Sequence, residues 1–239
     1  MARGPYQRVL IKLSGEAMCS PGGFGVDPAA VATAVDEVAG VVETGAEVAL
    51  VIGAGNLVRG KRLASESSID RATADYMGML GTVINALALQ DVLEARGLQT
   101  RVLGAITMTA VCEPFIRRRA MRHLEKGRVI LLAAGTGSPF FTTDTCAALR
   151  ALEIGADVLL KATKVDGVFD SDPVENPKAQ RFEQLSYQDV LARRLGVMDM
   201  TAISMCMEGN LPVVVFQLSK PGNLRAAVAG EPVGTLITE

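Results

Sequence analysis

The chain has 239 residues, 49% of them hydrophobic and 21% charged, with a formal net charge of −2. A chain of this size and apolar content buries a core without disulfides or a structural metal, and its slightly acidic balance gives no general basic field to draw in nucleic acid. Cys19, Cys112, Cys146 and Cys206 are scattered without CxxC or Cys/His spacing, so they read as apolar fillers in a reducing compartment. The single histidine, His123, lies in Arg117-Arg-Arg-Ala-Met-Arg-His123 and reads as part of a solvated helix face, which leaves no Ser-His-Asp or Cys-His machinery. No apolar signal core follows the first residues, and the apolar stretches read as too short to span a bilayer; the expectation is a soluble, cytoplasmic protein with no membrane or nucleic-acid partner.

In chain order, short β-branched runs alternate with helical patterns, which predicts an α/β fold with a mainly parallel sheet covered on both faces. Strands are expected near 8–12, 47–53, 100–104, 128–134, 157–161, 212–217 and 234–238. Asp27-Pro28 gives an N-cap with proline at the first helical position, valines recur at 31, 35, 38 and 42, and Gly45 closes that helix. Residues 69–96 read as one long helix despite Gly78 and Gly81, each costing about 1 kcal/mol relative to Ala, so close helix packing is expected there. Its apolar breadth fits either complete burial within the chain or a subunit interface. A further helix opens at about Thr143. Asp166-Gly167 and Asp172-Pro173 mark a turn or hairpin above the sheet, and a soft lobe boundary falls near residue 155.

Three strands empty into small, polar residues: Lys12-Leu13-Ser14-Gly15, Gly53-Ala54-Gly55-Asn56 and the hydroxyl-rich run Gly135 to Thr145. Carboxyl ends of parallel strands share one edge, so these loops can converge on one crevice, and glycines, hydroxyls and helix-opening N–H groups suit a phosphate. Gly55 to Lys61 nearly spells a P-loop, but Arg62 stands where Ser or Thr must reach magnesium, and Gly53-Ala-Gly55 is only half a dinucleotide fingerprint. A glycine turn followed by Arg59 survives, its fork suited to phosphate oxygens. Lys12 and Lys161 each end a strand and Lys164 follows closely; such lysines either neutralise a transferring phosphoryl group or snorkel to water. Asp144 either caps its helix or orients the lysines and meets a magnesium carried by a nucleotide.

Taken together, Lys12 to Gly15, Gly22 to Gly25, Val51 to Gly60, Asp75-Tyr-Met-Gly-Met-Leu80, Gly135 to Asp144 and Lys161 to Phe169 resemble the uridylate kinase branch of the amino acid kinase family. The resemblance runs from about residue 6 to Glu239, and the Gly-Thr-Gly-Ser-Pro-Phe-Phe-Thr-Thr-Asp run is its most specific part. It implies a single domain spanning 1–239, a three-layer α/β/α sandwich around a mainly parallel sheet of about eight strands. Residues 1–155 would form a UMP-binding lobe and 156–239 an ATP-binding lobe, in a homohexamer that transfers phosphate from ATP to UMP.

By position, the resemblance implies that Lys12, Leu13, Ser14, Gly15, Gly55 and Arg59 surround the ATP phosphates, and that Thr163, Phe169 and Asp172 hold the adenosine end. UMP would meet Ala54, Asp75 and the loop Thr136, Gly137, Ser138, Pro139, Phe140, Phe141, Thr142 and Thr143, with Asp75 on a ribose hydroxyl. Lys12, Arg59, Asp144, Lys161 and Lys164 are the candidate catalytic set, with Mg2+ entering as MgATP. Ser20, Pro21, Gly22, Gly23, Phe24 and Gly25 correspond to an effector region, with GTP as activator and UTP as inhibitor. Two departures stand out: Ala54 replaces a glycine of many relatives, adding a methyl near the UMP site, and Gln90 replaces an arginine that certain relatives use for GTP.

Overall fold

A computed structural model of the chain describes residues 5–58, 63, 65, 68–173 and 175–239; Arg59, Gly60 and Lys61 lie outside the described residues. Nine strands among these residues form one sheet: β1 (Arg8–Leu13), β2 (Glu47–Ile52), β3 (Thr100–Gly104), β4 (Glu113–Pro114), β5 (Val129–Ala133), β6 (Val158–Thr163), β7 (Gln184–Ser186), β8 (Val213–Gln217) and β9 (Thr235–Thr238). Their spatial order is β4-β3-β5-β2-β1-β6-β8-β9-β7. Pairing is parallel from β4 through β8 and antiparallel only between β8 and β9. All seven strands expected from the sequence are present. β4 and β7, two and three residues long, are too short to leave a periodic pattern.

Strand alternation sorts the core into two layers. Val9, Ile11 and Leu13 of β1 and Val48, Leu50 and Ile52 of β2 pack under α1 (Pro28–Val42), α2 (Arg71–Ala95) and α7 (Asn223–Ala229). Leu10, Ala49 and Val51 face the other way, against α3 (Arg117–Glu125), α4 (Thr143–Ile154), α5 (Tyr187–Ala192) and α6 (Met200–Glu208). This is the expected α/β/α sandwich. Asp27 caps α1 at the N–H of Ala29, with Pro28 at the first helical position, and Asp70 caps α2 at Ala72 and Thr73. The excursion after β6 turns back on itself through an antiparallel bridge between Phe169 and Arg181.

Helix α2 bears on two expectations. At 25 residues it is long and apolar enough to cross a membrane by length and composition, contrary to the sequence reading, yet it lies on the sheet with Ala74, Met79, Val83, Ala86, Leu89 and Leu93 buried. Nor is it buried all round, since Tyr76, Met77, Leu80 and Ile84 are exposed. His123 is also not solvated: it is 8% exposed, with Glu113 Oε2 3.4 Å from Nε2 and Arg128 3.0 Å from Nδ1. These partners supply the polar contacts that let an imidazole be buried. All four cysteines are free and buried, and burial pushes the thiols of Cys146 and Cys206 up to about 11 and about 12, so both are protonated fillers.

The buried row of α2 carries two polar side chains that brace the strand-end loops. Asn85, fully buried, donates to Gly53 O at 2.8 Å and exchanges two hydrogen bonds with the buried Asn56 amide. Thr82 accepts the N–H of Ala134 at 2.8 Å. Replacing Asn85 with Leu keeps the branched shape but removes the donor to the Gly53 carbonyl and both bonds to the Asn56 amide. Urea unfolding of Asn85→Leu should therefore show a loss of about 2–3 kcal/mol, and an unchanged midpoint would mean that these bonds brace nothing.

Candidate active site at the carboxyl edge of the sheet

The crossover of the chain from one side of β1 to the other leaves β1 flanked by β2 and β6, where the carboxyl ends of the strands open into a crevice. The first two glycine turns touch there through backbone: a Cβ on Gly15 would lie 2.6 Å from the Gly55 nitrogen and 2.7 Å from the Gly53 carbonyl oxygen. Only a residue without a side chain permits that approach. Gly53 N–H also donates to Leu13 O at 2.9 Å, so the ends of β1 and β2 form one continuous floor.

Lys12 and Lys161 are register partners on adjacent parallel strands, which sends both side chains to the α4 face of the sheet. Asp144, in the first turn of α4, reaches between them. Lys161 Nζ lies 2.6 Å from Asp144 Oδ2 and also donates to the Val197 carbonyl, while Lys12 Nζ lies 2.8 Å from Oδ1. No donor other than Lys12 among the described residues reaches Oδ1. These three side chains are only 12–15% exposed. Two ammoniums about 5 Å apart repel by about 3 kcal/mol at an effective dielectric of about 20, and a carboxylate closer to both outweighs this.

The electrostatics follow from that crowding. Burial alone would raise the Asp144 carboxyl, but Lys12 and Lys161 together hold it below the ordinary carboxylate range. Burial lowers the Lys161 ammonium, and the attraction of Asp144 offsets only part of this while Lys12 adds to it. By linkage, the Asp144 carboxylate contributes stability above the ordinary carboxyl range, lost as pH falls through its lowered value. Charged Lys161 costs stability at neutral pH, a cost that fades as pH rises from its lowered value to that of an ordinary lysine.

Beside this triad lies a cleft of about 190 Å3 lined by Ala54, Val58, Arg71, Asp75, Gly78, Met79, Gly135, Thr136, Phe141, Thr142 and Thr143, among others. Of the loop residues expected to meet one ligand, Gly137, Ser138, Pro139 and Phe140 do not line it; Ser138 and Phe140 are exposed. Asp75 receives both Arg71 Nε, at 2.9 Å, and the N–H of Phe140, at 2.9 Å. Ala134 and Phe140, at φ of 61° and 71°, occupy left-handed conformations uncommon outside glycine. Each gives its N–H to an α2 side chain, Thr82 or Asp75, so strain at both ends of the loop is held by one helix.

Other expected residues sit apart from the triad. Lys164 is exposed and pairs with Glu16 at 2.7 Å, bridging the ends of β1 and β6 at the surface. Thr163 donates to Val165 O at 2.6 Å, Phe169 is partly buried, and Asp172 is exposed. Ser14 caps the short 3-10 turn Gly15–Met18. Within the expected effector segment Ser20–Gly25, Phe24 is 82% exposed, and Gly25 exchanges two hydrogen bonds with Asn56.

Sequence reasoning missed Asp199, which caps α6 at Ala202 and accepts hydrogen bonds from the hydroxyls of Thr142 and Thr145. Its placement just before Met200 is a readable N-cap signal, but its reach to the distant loop leaves no local trace. Arg71, four residues before Asp75 on α2, was readable as an i,i+4 pair.

The sequence matches the amino acid kinase family over residues 7–217. The chain belongs to the amino acid kinase family. Among solved structures it is similar to the UMP kinase from Bacillus anthracis, with 43% identity, a TM-score of 0.95, and coverage of 98% of this chain and 97% of that one. It is also similar to the UMP kinase from Ureaplasma parvum, with 35% identity, a TM-score of 0.91, and coverage of 98% and 99%. The uridylate kinase from Archaeoglobus fulgidus is more distant, at 28% identity and a TM-score of 0.75 over 96% and 99% of the two chains. This amino acid kinase chain is a phosphotransferase.

The triad makes its own stability test. Asp144→Asn leaves two buried ammoniums without a counter-charge and should lower stability by about 3 kcal/mol at pH 7. The deficit should shrink as pH rises above the lowered Lys161 value, because the uncompensated Lys161 ammonium then sheds its proton in the folded chain. Urea titrations at pH 7 and near pH 10 check this; a deficit independent of pH would mean that the carboxylate does not serve the lysines.

Proposed function

We propose that the chain is a UMP kinase that moves the γ-phosphoryl group of ATP to UMP, giving ADP and UDP. The observation that carries the reading is the buried Lys12–Asp144–Lys161 triad at the shared edge of β1 and β6, beside the cleft of Ala54, Asp75, Thr136 and Phe141 to Thr143. The 43% identity to a UMP kinase over nearly the whole chain supports the choice of acceptor.

The two substrates are both anions, so the site must hold them against their repulsion. A UMP phosphate oxygen forms the new bond to the γ-phosphorus while the bond from that phosphorus to the β,γ-bridging oxygen breaks, and ADP leaves with the electron pair. A nucleotide phosphate is already ionised at neutral pH, so no general base is required, and the work is positioning and charge stabilisation. Lys161 is anchored by Asp144 and the Val197 carbonyl and serves as a fixed charge. Lys12 neutralises Asp144 from the other side and is the ammonium that the triphosphate would draw toward the transferring group, its phosphate oxygens replacing the carboxylate contact. Asp144 keeps the pair together and leaves one net positive charge for the phosphoryl oxygens.

Among the described residues no group of three or more His, Cys, Asp or Glu converges, and both oxygens of Asp144 face lysines. Mg2+ would enter as part of the ATP substrate, held chiefly by the nucleotide's own phosphates. On this reading Leu13, Ser14, Gly15, Gly55 and Arg59 receive the triphosphate, and Thr163, Phe169 and Asp172 the adenosine. Residues up to about 155 carry the UMP side and the remainder the adenosine side. Asp75 meets the ribose, and Lys164 serves at the rim rather than at the transferring group.

Further proposals concern assembly and control. The exposed stripe Tyr76, Leu80 and Ile84 supports a subunit contact on α2 within a homohexamer. The mutual bonds of Gly25 and Asn56 support an effector role for Ser20–Gly25, with GTP activating and UTP inhibiting, by tying that segment to the Gly53–Gly55 turn. Four free, buried thiols fit a reducing, cytoplasmic setting.

ADP release assayed with UMP, CMP, carbamate and acetylglutamate should be fastest with UMP; a preference for either of the last two would replace this reading by another kinase of the family. Lys12→Ala should lower kcat by about 100-fold or more, as for loss of a transition-state charge contact, with the UMP KM changed far less. Unchanged turnover would remove Lys12 from the mechanism. Asp75→Asn should raise the UMP KM, and an unaltered value would sink the ribose assignment.

A further inference from the structure

We infer that Gly81 and Ala54 form a size-matched pair in which Gly81, acting through Ala54, is a positioning residue for UMP; this rests on the UMP kinase reading. Gly81 is buried in the interior of α2, where alanine would ordinarily favour the helix by about 1 kcal/mol. A Cβ built on Gly81 would lie 2.9 Å from the Ala54 Cβ, with Leu57 Cβ at 3.8 Å and Leu57 Cδ1 at 3.9 Å. Carbon atoms pack at about 3.5–4.0 Å, so something would have to move by roughly 0.6–1 Å. Neither methyl can rotate out of the way, because each is fixed to backbone.

The helix side is held. Asn85, one turn beyond Gly81, is bonded to Gly53 O and Asn56, and the adjoining Thr82 is bonded to Ala134 N–H. Backing α2 away would break these buried bonds. Ala54 lines the cleft together with Asp75, Gly78 and Met79 of α2, so its displacement alters the space assigned to UMP. The methyl of Ala54 therefore packs into the room that the missing Gly81 side chain leaves, and the alanine at this position is tolerated because the helix has glycine opposite. Gly78, three residues earlier, meets nothing within 4 Å, so the constraint belongs to Gly81 and not to α2 glycines in general.

The test is a swap with kinetics and urea unfolding on wild type, Gly81→Ala, the double variant Gly81→Ala/Ala54→Gly, and Gly40→Ala as a helical glycine with nothing within 4 Å. Gly81→Ala should raise the UMP KM by about 10-fold or more, since a shift near 1 Å beside a bound substrate has effects up to about 100-fold. Its ATP KM should stay within about twofold. The double variant moves one methyl from loop to helix at constant volume and should return the UMP KM to within about threefold of wild type. Gly40→Ala should match wild type in kinetics and unfold at the same or higher urea.

An unchanged UMP KM in Gly81→Ala, or a double variant as impaired as the single, overturns the proposal. Should Gly81→Ala not fold, the double variant must fold and bind UMP as wild type does; failure of that recovery also overturns it. A wild-type protein that releases no ADP with UMP would refute the UMP kinase reading instead. The urea midpoints would then still decide the pairing, low in the single variant and restored in the double.

Discussion

Two lysines side by side on neighbouring strands of a buried parallel sheet are an unfavourable arrangement, and the organisation of this molecule follows from how it is relieved. Lys12 and Lys161 share a register position, so the sheet fixes their separation and direction. A helix must then deliver a carboxylate to a point between them, and α4 does so with Asp144 in its first turn. That demand fixes where β5 ends and how long its loop can be. Thr142 sets the start of α4 by capping Asp144 and Thr145, and Asp199 holds Thr142 and Thr145 in turn. The result keeps one positive charge in excess at a place where water is largely excluded, which is where electrostatic stabilisation of a phosphoryl group is most effective.

The opposite layer contributes rigidity rather than charge. Helix α2 grips both loops that bound the cleft, through Asn85 at the end of β2 and through Thr82 and Asp75 at the two ends of the loop after β5. Its third device is steric, the bare backbone of Gly81 against Ala54. A single helix therefore links the two glycine turns, the hydroxyl loop and, through Asn56, the segment ending at Gly25. Polar side chains within a core are costly unless satisfied, and the mutual bonding of Asn56 and Asn85 explains how both remain buried.

Much of this was legible in the sequence. The β-branched runs located the seven longer strands, and Asp27-Pro28 located α1, because those signals are local. Lys12, Asp144 and Lys161 were recognisable by residue type and by their places at strand and helix ends. The division of labour between Lys161 and Lys164 was not, since it depends on strand register: Lys161 faces α4 while Lys164 lies beyond the strand and pairs with Glu16. The burial of His123 was hidden because its partner Glu113 lies on another element, and the long-range reach of Asp199 escaped for the same reason. Ala54 looked like an intrusion on the cleft when read alone. Only the contact with Gly81 reveals where its methyl is accommodated.

On the proposed phosphoryl transfer, the strand-end lysine pair holds the group in transit between two nucleotides. A crystal structure with UMP, magnesium and a non-hydrolysable ATP analogue tests it most directly. γ-Phosphate oxygens are expected within about 3 Å of both Lys12 Nζ and Lys161 Nζ, with the UMP phosphate facing them from the Asp75 side. A triphosphate lodged elsewhere, for instance in the groove of Tyr6, Arg8 and Arg225 at the opposite edge of the sheet, with both lysines still closed on Asp144, would contradict it.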